Sequence, residues 1–225
     1  MNQLSSKIGF MSAVTLVILL IVYTVFLILL MFAGPSRWVN VTEYIAFSKQ
    51  TWHLYLTLCQ LMAFLCAPVY LILISSIHDY ANNQQKSLTR ISLCFATVFV
   101  TLSSIIYFVQ FSAVRQSIQK GQLEGLEQFI QLNTSSPMYA MAMLGWTLFL
   151  GLSSLFVVPV FSGEKIQKWV KYSFLANGLF CCMGFIGYVI DSMMLNLLYV
   201  LGMGVSMIII AISLSILFKK NHLAT

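Results

Sequence analysis

The stretch IGFMSAVTLVILLIVYTVFLILLMF, Ile8 to Phe32, contains no charged residue and runs into Gly34-Pro35-Ser36. A helix rises about 1.5 Å per residue and the hydrocarbon layer is roughly 30 Å thick, so about 20 apolar residues cross it. This stretch is long enough to cross once, and the glycine and proline that follow supply its stop. A secretory signal has an apolar core of only about 7 to 15 residues, and Met31 ahead of Ala33 makes a poor cleavage site. The segment is therefore read as a retained first helix.

The same apolar density recurs along the chain. Further spans are expected at about 52–77, 91–111, 137–161, 172–190 and 195–218, after the first at about 8–33. Hydrophobic residues make up 60% of the 225 positions, charged residues 8%, and mean hydropathy is +0.90. Soluble domains carry about 25% charged residues, so a water-soluble fold has nowhere to hide this much apolar surface. The expected fold is all-α: a polytopic transmembrane helical bundle of six membrane-spanning helices, forming a single transmembrane domain over 1–225. Bends are expected at Pro68 and near Pro159.

Between the third and fourth spans lies the longest connection, Ser112 to Pro137. Val114, Ile118, Leu126, Phe129 and Ile130 fall near one helical face, so a short amphipathic outer segment is expected to lie along the membrane surface. Gly121 and Gly125 are expected to break it into two pieces. The fourth span should start with Ser136 as cap and Pro137 in the first turn. The last two spans meet in a short turn at Asp191 and Ser192.

The net charge is +6, with twelve Lys and Arg residues scattered among the connections. No basic run accompanies a folded module, so nucleic acid is not an expected partner. Lys7, Lys86, Arg90, Lys165, Lys168, Lys171, Lys219 and Lys220 fall on the side of the termini. Arg37, Lys49, Arg115 and Lys120 fall on the other. The excess of positive charge predicts both termini in the cytoplasm and the Ser112–Pro137 loop outside.

A charge within a span costs several kcal/mol and usually marks an ion path. Here Glu43, Asp79, Glu124, Glu127, Glu164 and Asp191 all fall in connections or at helix ends, which weighs against proton- or sodium-coupled transport. The five cysteines, Cys59, Cys66, Cys94, Cys181 and Cys182, sit in apolar stretches without a histidine at ligand spacing. They read as packing residues, not as a disulfide or zinc framework. No cofactor or metal is expected, and no hydrolase, nucleotide or redox motif occurs. His78 and Asp79 are adjacent on a helix, so they do not face each other as a dyad.

Gln60, Gln110, Asn177 and Asn196 are polar residues inside spans, where hydrogen bonding between helices is their ordinary use. Gln110 also stands where the third span meets the outer loop. A pocket there would be built from Tyr107, Gln110, Arg115, Glu124, Glu127, His53 and Glu43. Gly145, Gly178, Cys182, Gly202 and Ser206 read as small residues that allow close helix packing among the last three spans.

The stretches YFVQFSAVRQSIQKGQLEGLEQF (Tyr107 to Phe129) and LGWTLFLGLSSLFVVPVFSG (Leu144 to Gly163) resemble those of uncharacterised small multi-pass membrane proteins of bacteria. The resemblance implies a bacterial cytoplasmic membrane and brings no activity with it. The expected partner is the lipid bilayer, and the expected function is to bind or pass a lipid-like or neutral small molecule through the outward-facing pocket. Two other readings stand beside it. One is a lipid-modifying enzyme using Glu124, Glu127 or His53 at the outer interface; the other is a structural or immunity-type accessory subunit acting through helix contacts. Neither an oligomer nor a partner subunit can be read from the sequence.

Overall fold

A computed structural model describes residues 3–33, 41–49, 53–163 and 165–223. Among these residues the chain is helical with no strand, and six helices are long and apolar enough to cross a membrane. They are α1 (Gln3–Ala33), α3 (His53–Tyr80), α4 (Lys86–Lys120), α5 (Pro137–Val160), α6 (Lys165–Val189) and α7 (Met193–Lys220). A seventh, α2 (Val41–Lys49), is too short to cross and lies in the connection after α1. The chain is a polytopic helical bundle, as its composition requires.

The crossing helices form a ring. Each packs on the next in chain order, and α7 returns to pack on α1. The lipid-side pattern is plain on α1, where Ile18, Ile21, Val25 and Ile28 are exposed at helical spacing, while Ala13, Leu16 and Leu20 turn inward. The interior is filled by large apolar side chains such as Leu73, Ile74, Phe99 and Phe174, and the small and polar residues among them let helices approach and hydrogen-bond.

Serine, tyrosine and asparagine accordingly stitch the centre. Tyr70 of α3 is fully buried, with its hydroxyl 3.1 Å from Ser153 Oγ and 3.3 Å from Ser154 Oγ of α5. Ser92 of α4 donates to the Ser153 carbonyl at 2.7 Å. Ser154 donates to Asn177 Oδ1 of α6 at 2.7 Å, and Asn177 Nδ2 donates to the Gly202 carbonyl of α7 at 2.8 Å. One connected set of hydrogen bonds thus ties five crossing helices together, each bond worth about 1 kcal/mol in a membrane.

The small residues allow this approach. A Cβ built at Gly202 would stand 2.6 Å from Cys181 Sγ and 3.1 Å from the Cys181 nitrogen. One at Gly178 would meet the Leu155 side chain and, at 3.0 Å, the Gly151 carbonyl. Gly145 faces Leu102 of α4, Ser206 is buried, and the Cys182 thiol lies against Gly151. The Cys59, Cys66, Cys94, Cys181 and Cys182 thiols are all free.

Three helices widen locally into π turns, at Gln110–Val114, Leu144–Phe149 and Leu201–Ser206. Pro68 lies inside α3 without ending it, and Pro159 sits in a 3₁₀ turn, Val158–Val160, that closes α5. Ser136 caps α5 as expected, accepting from the Tyr139 nitrogen at 3.0 Å ahead of Pro137.

The amphipathic segment differs from its expectation. Its first part is no separate surface helix, because α4 runs on unbroken through the π turn to Lys120. Nothing between Phe111 and Lys120 breaks a helix, and Val114 and Ile118 continue the buried face that Ser103, Ile106 and Gln110 carry below. Gly121 and Gly125 do interrupt the chain, each with φ near +70°, and a 3₁₀ turn follows at Leu126–Gln128. Both glycines occupy left-handed backbone, where a side chain would be strained. The connection between α1 and α3 also holds α2, an element for which no separate helix was expected.

Candidate functional site

A cleft of about 730 Å³ opens at the end of the bundle opposite the termini. Ligand sites usually fall between about 300 and 1,000 Å³. Three elements make its walls. From α2 come Tyr44 and Ser48; from the first two turns of α3 come Leu54, Leu56, Thr57 and Gln60. The upper part of α4 supplies Gln110, Phe111, Val114, Arg115, Ile118 and Lys120.

The reason α2 stays in place is a small core of its own. Tyr44 and Ile45 pack with Leu56, Val114, Ile118, Leu126 and Ile130, which brings α2, α3, α4 and the following loop onto one apolar nucleus. Burial pushes the Tyr44 phenol up to about 12, so it remains a neutral hydroxyl at any physiological pH.

Gln110 is 3% exposed and both ends of its amide are engaged. Its Nε2 donates to the Phe129 carbonyl at 2.7 Å, and its Oε1 accepts from the Gln131 nitrogen at 3.0 Å. The side chain thus stands in for a backbone unit and fastens the 126–131 loop to α4. Gln60, on the facing helix, is 6% exposed, and its Nε2 has no hydrogen-bond partner among the described residues. A buried amide left so costs about 1 to 3 kcal/mol.

The other residues expected in a pocket are distributed as follows. Arg115 lines the cleft with its side chain exposed. Tyr107 lies buried one turn before Gln110, its hydroxyl accepting from Gln131 Nε2 at 3.4 Å, and it does not reach the lining. Glu124 and Glu127 are exposed on the loop and outside the lining. Glu43 is exposed on α2, beside Tyr44 but outside the lining as well. His53 opens α3 with its backbone, and its side chain lies outside the described residues, as does Glu164. The structure therefore brings together Gln110 and Arg115 from that set. It adds Gln60, Tyr44, Thr57 and Lys120, which sequence reasoning did not place there.

At the other end, His78, Asp79 and Tyr80 part company. His78 Nδ1 is 2.6 Å from Thr89 Oγ1, Asp79 accepts from Ser5 Oγ at 2.6 Å, and the Tyr80 hydroxyl accepts from Gln167 Nε2 at 2.8 Å. Each side chain ties α3 to a different neighbour. Among the described residues no three His, Cys, Asp or Glu side chains gather in a way that would hold a metal ion. The chemistry available to the cleft is that of amides, hydroxyls and two cations on an apolar wall.

The fold and site define a multi-pass membrane protein with an amphiphilic cleft at one end of its bundle. No protein family, no curated protein and no solved structure matches the chain.

Proposed function

We propose that the protein binds or passes a lipid-like small molecule in this cleft, as a carrier, sensor or accessory unit of its membrane. The observation that carries the reading is the pairing of a roomy cleft with the buried, unpartnered amide of Gln60 in its wall. Gln60 Nε2 is itself out of contact with the open space, so a ligand oxygen meets it when the side chain turns toward the cleft, and that bond removes the cost of a donor held out of water without a partner. The apolar side chains beside it, Leu54, Leu56 and Phe111, suit an acyl or isoprenoid chain.

The same reading takes the positive-charge excess to put both termini in the cytoplasm and the cleft outside. It takes the membrane to be a bacterial cytoplasmic membrane on the resemblance noted above. An enzyme at this interface would need convergent carboxylate and imidazole groups. No observation on Glu124 or Glu127 favours one, since neither lines the cleft.

Native mass spectrometry of the protein released gently from its own membrane tests the proposal. The expected result is a co-purifying small molecule or selected lipid that is lost in Gln60→Leu. A bare protein, or one carrying only another polypeptide, would overturn it.

A further inference from the structure

We infer that the ligand of this cleft carries an oxyanion headgroup of the phosphate class, held at the mouth by Arg115 and Lys120 while its chain lies on the apolar wall. The inference rests on the reading of the cleft as a lipid-like site and narrows it from lipid-like or neutral to anionic. Both cations line the cleft, and no acidic side chain does among the described residues. Positive charge at a concave mouth focuses field and selects negative ligands. Arginine and lysine are also the side chains that recognise phosphate, by a planar fork and a point charge respectively.

Helix ends at the cleft bear on the same point. The first turn of α3, 28 residues long, contributes Leu54 and Leu56 to the wall and brings the positive pole of its helix there. The negative pole of α4 also ends nearby, at Lys120. Two of its last four carbonyls are already used, since Ser117 accepts from the Gln122 nitrogen at 2.9 Å and Ile118 from the Gly121 nitrogen at 3.3 Å. Two full charges and one positive pole outweigh a half-capped negative one. Gln60 supplies an independent sign of a ligand: a cleft-lining residue only 6% exposed, whose Nε2 is buried with no hydrogen-bond partner among the described residues.

Cations at membrane interfaces often do no more than snorkel among headgroups. Lys165 and Lys168 provide the comparison, being exposed beside the exposed Trp169 and Tyr172 at the terminal end, away from the cleft. If Arg115 and Lys120 only snorkelled, removing either pair would have the same small effect.

The test is titration of the full-length protein in neutral detergent with three probes: dioleoyl phosphatidylglycerol, dioleoylglycerol and inorganic phosphate. The inference expects phosphatidylglycerol to bind at least tenfold tighter than dioleoylglycerol, with affinity falling as salt rises. Arg115→Gln with Lys120→Gln should erase that preference, and Gln60→Leu should weaken binding several-fold in a protein that melts no lower than the parent. Lys165→Gln with Lys168→Gln should leave affinity unchanged. Equal, salt-insensitive binding of both lipids would overturn the anionic headgroup and leave the cleft reading standing. Binding of neither lipid would overturn both. Saturable binding of phosphate with exclusion of the lipid would assign the mouth to a soluble anion and overturn the lipid source.

Discussion

Gln60 and Gln110 bear the same side chain on two walls of one cleft, and their surroundings give them opposite roles. Gln110 is satisfied at both ends by the loop at Phe129 and Gln131, whereas Gln60 Nε2 is buried without a partner. Removing a satisfied partner leaves the loop's Phe129 carbonyl and Gln131 nitrogen to find water, so Gln110→Leu should cost about 1 to 3 kcal/mol. Gln60→Leu should be neutral or mildly stabilising, because it removes a buried donor that nothing pays back. Thermal unfolding of both variants in one detergent checks this; a larger loss for Gln60→Leu would contradict the assignment. The sequence could not tell these residues apart. Each is one amide in an apolar run, and the partners of Gln110 are backbone atoms about twenty residues away, brought near only by the turns at Gly121 and Gly125.

At the scale of the elements, α6 and α7 meet through a glycine and a hydrogen bond that depend on one another. Gly202→Leu would drive a side chain into Cys181, where even a Cβ comes within 2.6 Å of the sulfur. Overpacking of this kind costs about 1 to 3 kcal/mol, and here it also pushes the Gly202 carbonyl away from Asn177 Nδ2. Detergent-resistant folding should be lost or its midpoint clearly lowered; an unchanged melt would remove Gly202 from the packing account. Asn177→Leu, which removes two such bonds, should lower stability by about 1 to 2 kcal/mol, since bonds between membrane helices average about 0.6 kcal/mol each and reach about 1.7. The close approach at Gly178 and Gly202 was legible in the chain, because it needs the missing Cβ whatever the partner. The three π turns were not. They follow from how neighbours pack and leave no mark in hydropathy. The same holds for the length of α4, since the periodicity of Val114 and Ile118 fits a surface helix as well as a continuation, and for α2, which is held by Tyr44 and Ile45 against residues distant in sequence.

For the whole molecule, six crossings require both termini on one side and the 121–136 loop on the other. Reporter domains fused at each terminus should give the same compartment, and one inserted at Gly121 the opposite compartment. Reporters of opposite sign at the two termini would mean that one apolar helix does not cross. The number of spans was legible because a run of about 20 apolar residues has almost no other use. The cleft was half legible: the junction of the third span with its loop pointed to Gln110 and Arg115. The facing wall from Tyr44, Thr57 and Gln60 appears only when the ring of helices closes. The most direct measurement is an experimental structure of the protein in nanodiscs made from its native lipids. Ligand density is expected in the cleft, with an oxygen within hydrogen-bond distance of Gln60 Nε2 and a head beside Arg115 and Lys120. A cleft closed by α2, with the Gln60 amide bonded to the protein itself, would contradict it.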